Sequence, residues 1–228
     1  MFNELLLLAH ILTIAGTTFI VLRLGQSALV AFSVLQMIFA NMFVLKQTTL
    51  FGLNATCADA FIIGSLLSFN LLNELYGAEV AKKTIPTTFV CAVFYAAMSY
   101  IHLAYRPTAG DSMQGHYEAL FSVAPVLIAG SIGVFLAAQI IDFVLYRLFK
   151  RLWPTYFLVL RNILSLSISQ FFDTLSFTLI LYWLGIITNI FDVIVVSYGI
   201  KMVVIAISAP LVAAMLWLHR WLALNTRK

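Results

Sequence analysis

Charge is what this sequence has least of. Only 10% of its 228 residues are Asp, Glu, Lys or Arg, where a soluble domain carries about 25%, and 63% are hydrophobic. A soluble core of this length cannot bury so large an apolar share, so the solvent for much of the surface is a lipid bilayer. The formal charge of +4 does not make a nucleic-acid face. The basic residues stand singly or in twos and threes between apolar runs, never gathered in a patch. Cysteine is scarce too. Cys57 and Cys91 lie in apolar segments with no second Cys or His at ligand spacing, so they read as buried free thiols behaving as small hydrophobes, and nothing implies a disulfide framework. The common signatures of catalysis are missing: no GxxxxGK[ST], no HExxH and no GxSxG. His10 and His102 lie in apolar runs, and His116 and His219 at or beyond run ends, none at metal-ligand spacing. The chain reads as a non-enzyme, with no metal or cofactor expected.

What is present is a succession of apolar runs of about 20 residues, the length a helix needs to cross hydrocarbon. Seven are readable: 4–22, 27–45, 57–77, 84–105, 122–147, 157–184 and 190–218. The first, within MFNELLLLAHILTIAGTTFIVLRLG, follows no basic region, carries Glu4 and is long for a signal peptide. It reads as a retained spanning helix. The third is the least apolar, holding Asp59, Asn70, Asn73 and Glu74, which predicts a helix packed inside the bundle. Connectors are short except 106–119, RPTAGDSMQGHYEA, whose Pro, Gly and polar residues read as a loop. The expectation is one all-α transmembrane domain, 1–228, a polytopic helix bundle.

Loop charge tests that count. With alternate connectors on opposite sides, one side receives Arg23, Lys82, Lys83, Arg147, Lys150, Arg151, Arg220, Arg227 and Lys228, and the other only Lys46 and Arg106. The positive-inside rule then places the N-terminus outside and the C-terminus in the cytoplasm. Trp153, Trp183, Trp217 and Trp221 fall near span ends, as an interfacial aromatic belt predicts.

Four ionisable residues remain inside the late runs: Asp142, Arg161, Asp173 and Lys201. Each costs about 2.5–3.5 kcal/mol at a helix centre on insertion scales, so such residues pair, face a polar cavity or handle a substrate. Helical spacing gathers them into stripes: Ser131, Phe135, Gln139, Asp142 and Tyr146; Arg161, Ser165, Ser169, Asp173 and Ser176; Ser197, Lys201 and Ser208; and Asp59, Ile63, Asn70 and Asn73 with Glu74 alongside. At about 1.5 Å rise per residue, and to within about one turn, Arg161, Asp142 and Glu74 can meet near the inner face, and Asp173 and Lys201 at the midplane. A midplane site walled by helices is where secondary transporters hold substrate. Gln139-Ile-Ile-Asp142 and Gln170-Phe-Phe-Asp173 each set a carboxamide and a carboxylate one turn apart, a donor–acceptor pair suited to a planar heterocycle. Phe135, Phe172 and Tyr198 are the aromatic candidates to stack on it.

The ordered set NLLNELYGAEVAKK (70–83), AAQIIDFVLYRL (137–148), LRNILSLSISQFFDTLSF (160–177) and SYGIKMVV (197–204) resembles the YhhQ-type family of queuosine precursor transporters over roughly 41–218. That resemblance implies an inner-membrane protein of a bacterium, with six core helices arranged like a vitamin-uptake S-component, plus one extra N-terminal span here. It implies import of 7-deazaguanine bases, queuine or a pre-queuosine base, for tRNA queuosine salvage. Gln139 and Asp142 match the family's QxxD, Gln170, Asp173 and Thr174 its polar-x-x-Asp-Thr, and Lys201 its late-span Lys. Glu74, Tyr76 and Gly77 fit its ExYG ending, and Asn70 stands where some members carry Asp. The implied substrate-binding set is Asn70, Glu74, Gln139, Asp142, Arg161, Gln170, Asp173 and Lys201. The implied partners are a 7-deazapurine and the bilayer, with no nucleic acid. Two alternatives stand beside it: a vitamin-binding subunit needing a separate ATPase module, and an intramembrane enzyme using the Asp pair.

Overall fold

The structure is a computed structural model that describes residues 2–43, 46–56, 58–121, 125–153, 157–185, 187 and 189–225. Among these the chain runs α1 (Phe2–Leu24), α2 (Gln26–Phe43), β1 (Gln47–Leu50), β2 (Leu53–Thr56), α3 (Ala58–Leu75), α4 (Ala78–Leu103), α5 (Gln114–Phe121), α6 (Pro125–Leu152), α7 (Leu158–Trp183) and α8 (Ile190–Asn225). The protein is a polytopic helical bundle. Helix is the form that pairs every backbone N–H and C=O within one segment, which hydrocarbon demands. Six of the described helices, α1, α2, α4, α6, α7 and α8, are long and apolar enough to cross a membrane. Their outward faces are apolar, as with Leu5 and Ile20 on α1, Val90 and Phe94 on α4, and Val144 on α6. Polar side chains are turned inward, the reverse of a soluble protein.

The remaining long helix, α3, is the most enclosed. Thirteen of its 18 residues are buried, and it touches α1, α2, α4, α6, α7 and α8. Small residues make this possible, since they let backbones approach closely. A methyl group at Gly64 would lie 2.0 Å from Gln36 Oε1 and 2.8 Å from Ile14 Cγ2. Beside it Ser65 Oγ donates to the Ser33 carbonyl at 2.8 Å and Ser33 Oγ to the Ser65 carbonyl at 3.1 Å. These bonds hold α3 firmly to α2, whereas its packing on α6 and α7 is sparser. Past Leu75 the chain turns at Gly77, with φ 90° and ψ 168°, a conformation essentially closed to residues with a side chain. That accounts for the glycine that follows Glu74 and Tyr76.

Two connectors depart from expectation. The stretch 106–119 is not all loop: α5 starts at Gln114, after Asp111 accepts from the Met113 amide at 2.7 Å. It is tied to the end of α4 through the edge-on contact of Tyr117 with His102, 5.4 Å between centroids. The stretch before α3 is an antiparallel hairpin, Gln47 opposite Thr56 and Leu50 opposite Leu53. Its two-residue turn has positive φ at Phe51 (52°) and Gly52 (80°), the primed-turn geometry that matches strand twist. Phenylalanine rarely adopts that conformation, so the sequence carried little sign of it. Here the Phe51 amide is held by Glu4 Oε1 at 2.9 Å, and Asn3 Nδ2 donates to the Thr49 carbonyl at 2.9 Å. Helix α6 also continues beyond the expected end at 147, to Leu152. Residues 44, 45, 57, 122–124, 154–156, 186, 188 and 226–228 lie outside the described ones, and with them Cys57 and the terminal bases Arg227 and Lys228. Cys91 is half-buried rather than buried.

Candidate functional site

The polar stripes of α3, α6, α7 and α8 converge. On α6, Phe135, Gln139, Asp142 and Tyr146 are all buried; on α7, Arg161, Asn162, Ser165, Ser169, Gln170, Asp173 and Thr174; on α8, Lys201 and Ser208. Asn70 and Asn73 of α3 complete the lining, along the side where α3 packs sparsely on α6 and α7. Ser131 and Ser176, expected on these stripes, are only half-buried. Ser131 instead donates to Asn41 Oδ1 of α2 at 3.1 Å.

Ion pairs hold the two ends of this seam. Near the start of α3, Lys201 Nζ donates to Asp173 Oδ2 and lies 3.8 Å from Asp59 Oδ1. Near its end, Glu74 Oε2 receives Lys150 Nζ at 2.9 Å, the Tyr146 hydroxyl at 3.2 Å and Arg161 Nη2 at 3.4 Å. Arg161 also donates through Nη1 to the Trp153 carbonyl at 2.9 Å, and its guanidinium lies over the Tyr146 ring, 5.6 Å from the centroid. Asp59 and Glu74 are 15 positions apart on one helix, about 22 Å at 1.5 Å per residue.

Between the ends the lining is short of partners. Both side-chain polar atoms of Gln139, Asp142 and Gln170 are buried without a hydrogen bond, as are Asn70 Oδ1 and Thr174 Oγ1. Asn70 Nδ2 donates to Asn162 Oδ1 at 3.1 Å. Asn70 and Ser165 stand beside the Asp142 carboxylate, yet no donor reaches hydrogen-bond geometry at either of its oxygens. A buried polar group without a partner costs roughly 1–3 kcal/mol, and an isolated buried carboxylate far more. A single stray group is a packing defect. Three side chains from two neighbouring helices, each without a hydrogen-bond partner and fully enclosed, leave donors and acceptors of the kind a polar ligand satisfies.

The structure brings Asp173 to Lys201 and Glu74 to Arg161, as expected from depth. It does not bring Asp142 to either of the latter. Tyr146, one turn further along α6, meets Glu74 instead, and a turn is the error of a depth estimate. Of the aromatic candidates Phe135 is buried, but packed with Met37, Ala92 and Ile132. Phe172 faces outward at 38% exposure, and Tyr198 donates to the Ser167 carbonyl at 3.1 Å and packs edge-on against Phe171. Asp59, Tyr146, Lys150 and Asn162 also take part in these contacts, though none is in the implied binding set. Asp59 and Tyr146 lay on named stripes, and Lys150 sits one turn beyond Tyr146. Asn162 had no such sign.

A membrane bundle with an enclosed, unsatisfied polar seam between ionic clusters is the architecture of a solute carrier. Residues 56–215 match the family described as putative vitamin uptake transporter, and the chain belongs to that family of membrane transporters. It is 31% identical over 180 residues to a protein of Bacillus subtilis (strain 168) named probable queuosine precursor transporter, covering 75% of this chain and 76% of that one. No solved structure matches the chain.

Proposed function

We propose that the chain imports a queuosine precursor, a 7-deazaguanine base such as queuine or a pre-queuosine base, across the cytoplasmic membrane of a bacterium. The observation that carries this is the set of unpaired polar atoms on Gln139, Asp142 and Gln170, all fully enclosed. A deazaguanine presents ring N–H and exocyclic amine donors on one edge, which a carboxylate accepts side by side, and a carbonyl that accepts from a carboxamide. The name of the Bacillus subtilis relative supports the same substrate class. In this reading Asp142 takes the amidine edge, Gln139 and Gln170 the carbonyl and ring nitrogens, and Asn70 closes the site from α3. Asp173 with Lys201, and Glu74 with Arg161, bound it at either end.

With α3 counted as a crossing, the bundle has seven spans, N-terminus outside and C-terminus inside. The Glu74 end of the seam then faces the cytoplasm and the Asp59 end faces outward. Reporters fused after Lys83 and within 108–112 are expected to read cytoplasm and exterior respectively; the opposite readings would invert the entry and exit sides.

The direct test is uptake in a cell unable to make queuosine but able to insert each precursor. Each precursor is supplied in turn, with this chain as the sole importer, and queuosine is read in tRNA. Queuosine appearing only when the chain is expressed supports import. Its absence with every precursor, in a cell where the protein reaches the membrane, removes the reading. Import that requires a co-expressed ATPase module would assign the chain to a subunit instead.

A further inference from the structure

Asp59 lies outside the carboxamide seam, yet it faces Lys201, 3.8 Å away. Two carboxylates, from α3 and α7, stand around a single ammonium from α8. All three side chains are almost wholly enclosed: Asp59 13%, Asp173 12% and Lys201 5% exposed. One positive charge against two negative ones leaves the group a full charge short. The first-turn amides of α3 beside Asp59 supply the equivalent of about half a positive charge at most, so a deficit remains. Nor does Lys201 serve both acids alike. It donates to Asp173, while Asp59 Oδ1 at 3.8 Å is beyond hydrogen-bond reach. Among the described residues no donor is bonded to Asp59, and its acceptor positions stay open. Two enclosed side chains of α7 close to Asp173 add to this: both polar atoms of Gln170, three residues away, and the neighbouring Thr174 hydroxyl have no hydrogen-bond partner.

We propose that Asp59, Lys201 and Asp173 form an ammonium subsite, in which Lys201 stays on Asp173 and Asp59 receives a cationic side arm of the ligand. Asp59 is then a specificity-determining residue, one that selects a charged substituent over a neutral one on the same base. Resting on the deazaguanine reading above, the charged arm is an amine carried on the 7-position, protonated at neutral pH. The flat edge of the base remains with Asp142 and the carboxamides. An inorganic cation is the poorer occupant, because one of the two carboxylates is already committed to Lys201.

The test is equilibrium binding to the purified full-length chain in detergent or nanodiscs. Two probes share the base edge and differ only in the arm: 7-aminomethyl-7-deazaguanine, a cation, and 7-cyano-7-deazaguanine, which is neutral. The wild type should bind the aminomethyl base tighter by about tenfold or more, the scale of one charge-assisted hydrogen bond. Asp59→Asn should collapse the ratio toward one, and Asp59→Glu should keep it. Equal binding of the two bases by the wild type overturns the subsite and leaves the deazaguanine reading standing. An undiminished ratio in Asp59→Asn overturns it as well, and the wild-type ratio decides the matter if that variant does not fold. Sodium-dependent binding of both bases without preference would make this an inorganic cation site and overturn the proposal. If neither base binds, the deazaguanine reading falls and the subsite with it.

Discussion

At the Asp59 end of α3 two carboxylates share one ammonium, while at the Glu74 end two cations and a phenol converge on one carboxylate. The two clusters are built from opposite excesses of charge, and they differ in how they are fastened. The Glu74 cluster ties three helices to one another and to the Trp153 carbonyl just past α6. The Asp59 cluster rests on one donated bond and one longer ion pair. On the ammonium-subsite proposal, the Glu74 end is the latch and the Asp59 end the receptor. A carboxylate with three donors has little capacity left, whereas a lysine between two acids, one of them unbonded, leaves room for another cation.

The largest effect should come from breaking the receptor end. Asp173→Asn keeps the shape of the side chain but removes its charge and half its acceptor capacity. Uptake should fall by at least about tenfold, the scale of one charge-assisted hydrogen bond, with membrane abundance near normal. The double change Asp173→Asn with Lys201→Met separates handling from neutralisation. If it restores wild-type uptake, the pair serves structure alone.

The latch end should respond in stability, and unequally. Arg161 is enclosed, with a side chain 3% exposed, and Lys150 is 33% exposed. Removing one partner of a buried pair costs about 3–5 kcal/mol, so Arg161→Gln should lower the melting temperature in detergent sharply. A partly exposed pair contributes under about 1 kcal/mol, so Lys150→Gln should shift it little. Equal losses in the two variants would show that the cluster acts as a unit.

A change of intermediate size lies on the face of α3 turned to α2. Gly64→Ala forces a methyl against Gln36 and Ile14, and overpacking of this kind costs roughly 1–3 kcal/mol. It should lower melting temperature while leaving the affinity for substrate unchanged. A matching loss of affinity would mean that α3 positions both faces together, and that the rigid and receptive sides are not separable.

The amino-acid order by itself determined the membrane class, the long helices and the inward stripes. Scarce charge, apolar runs of about 20 residues and a 3.6-residue period act within single segments, and hydrocarbon leaves a lone segment no alternative to helix. The charges in the late helices were legible as a candidate site for the same reason, since an intramembrane ion needs a partner or a purpose. Asp173 with Lys201 and Glu74 with Arg161 followed from depth alone. Only the tertiary structure decided the rest. Whether Tyr146 or Asp142 meets Glu74 depends on axial shifts of one turn between helices, which no single segment encodes. That Gln139, Asp142 and Gln170 are left unpaired, and that Asp59 stands second in line for Lys201, depends on how four helices are rotated against one another. The hairpin before α3 belongs here too: Phe51 holds a turn conformation it would not choose, and Glu4 on α1 binds its amide.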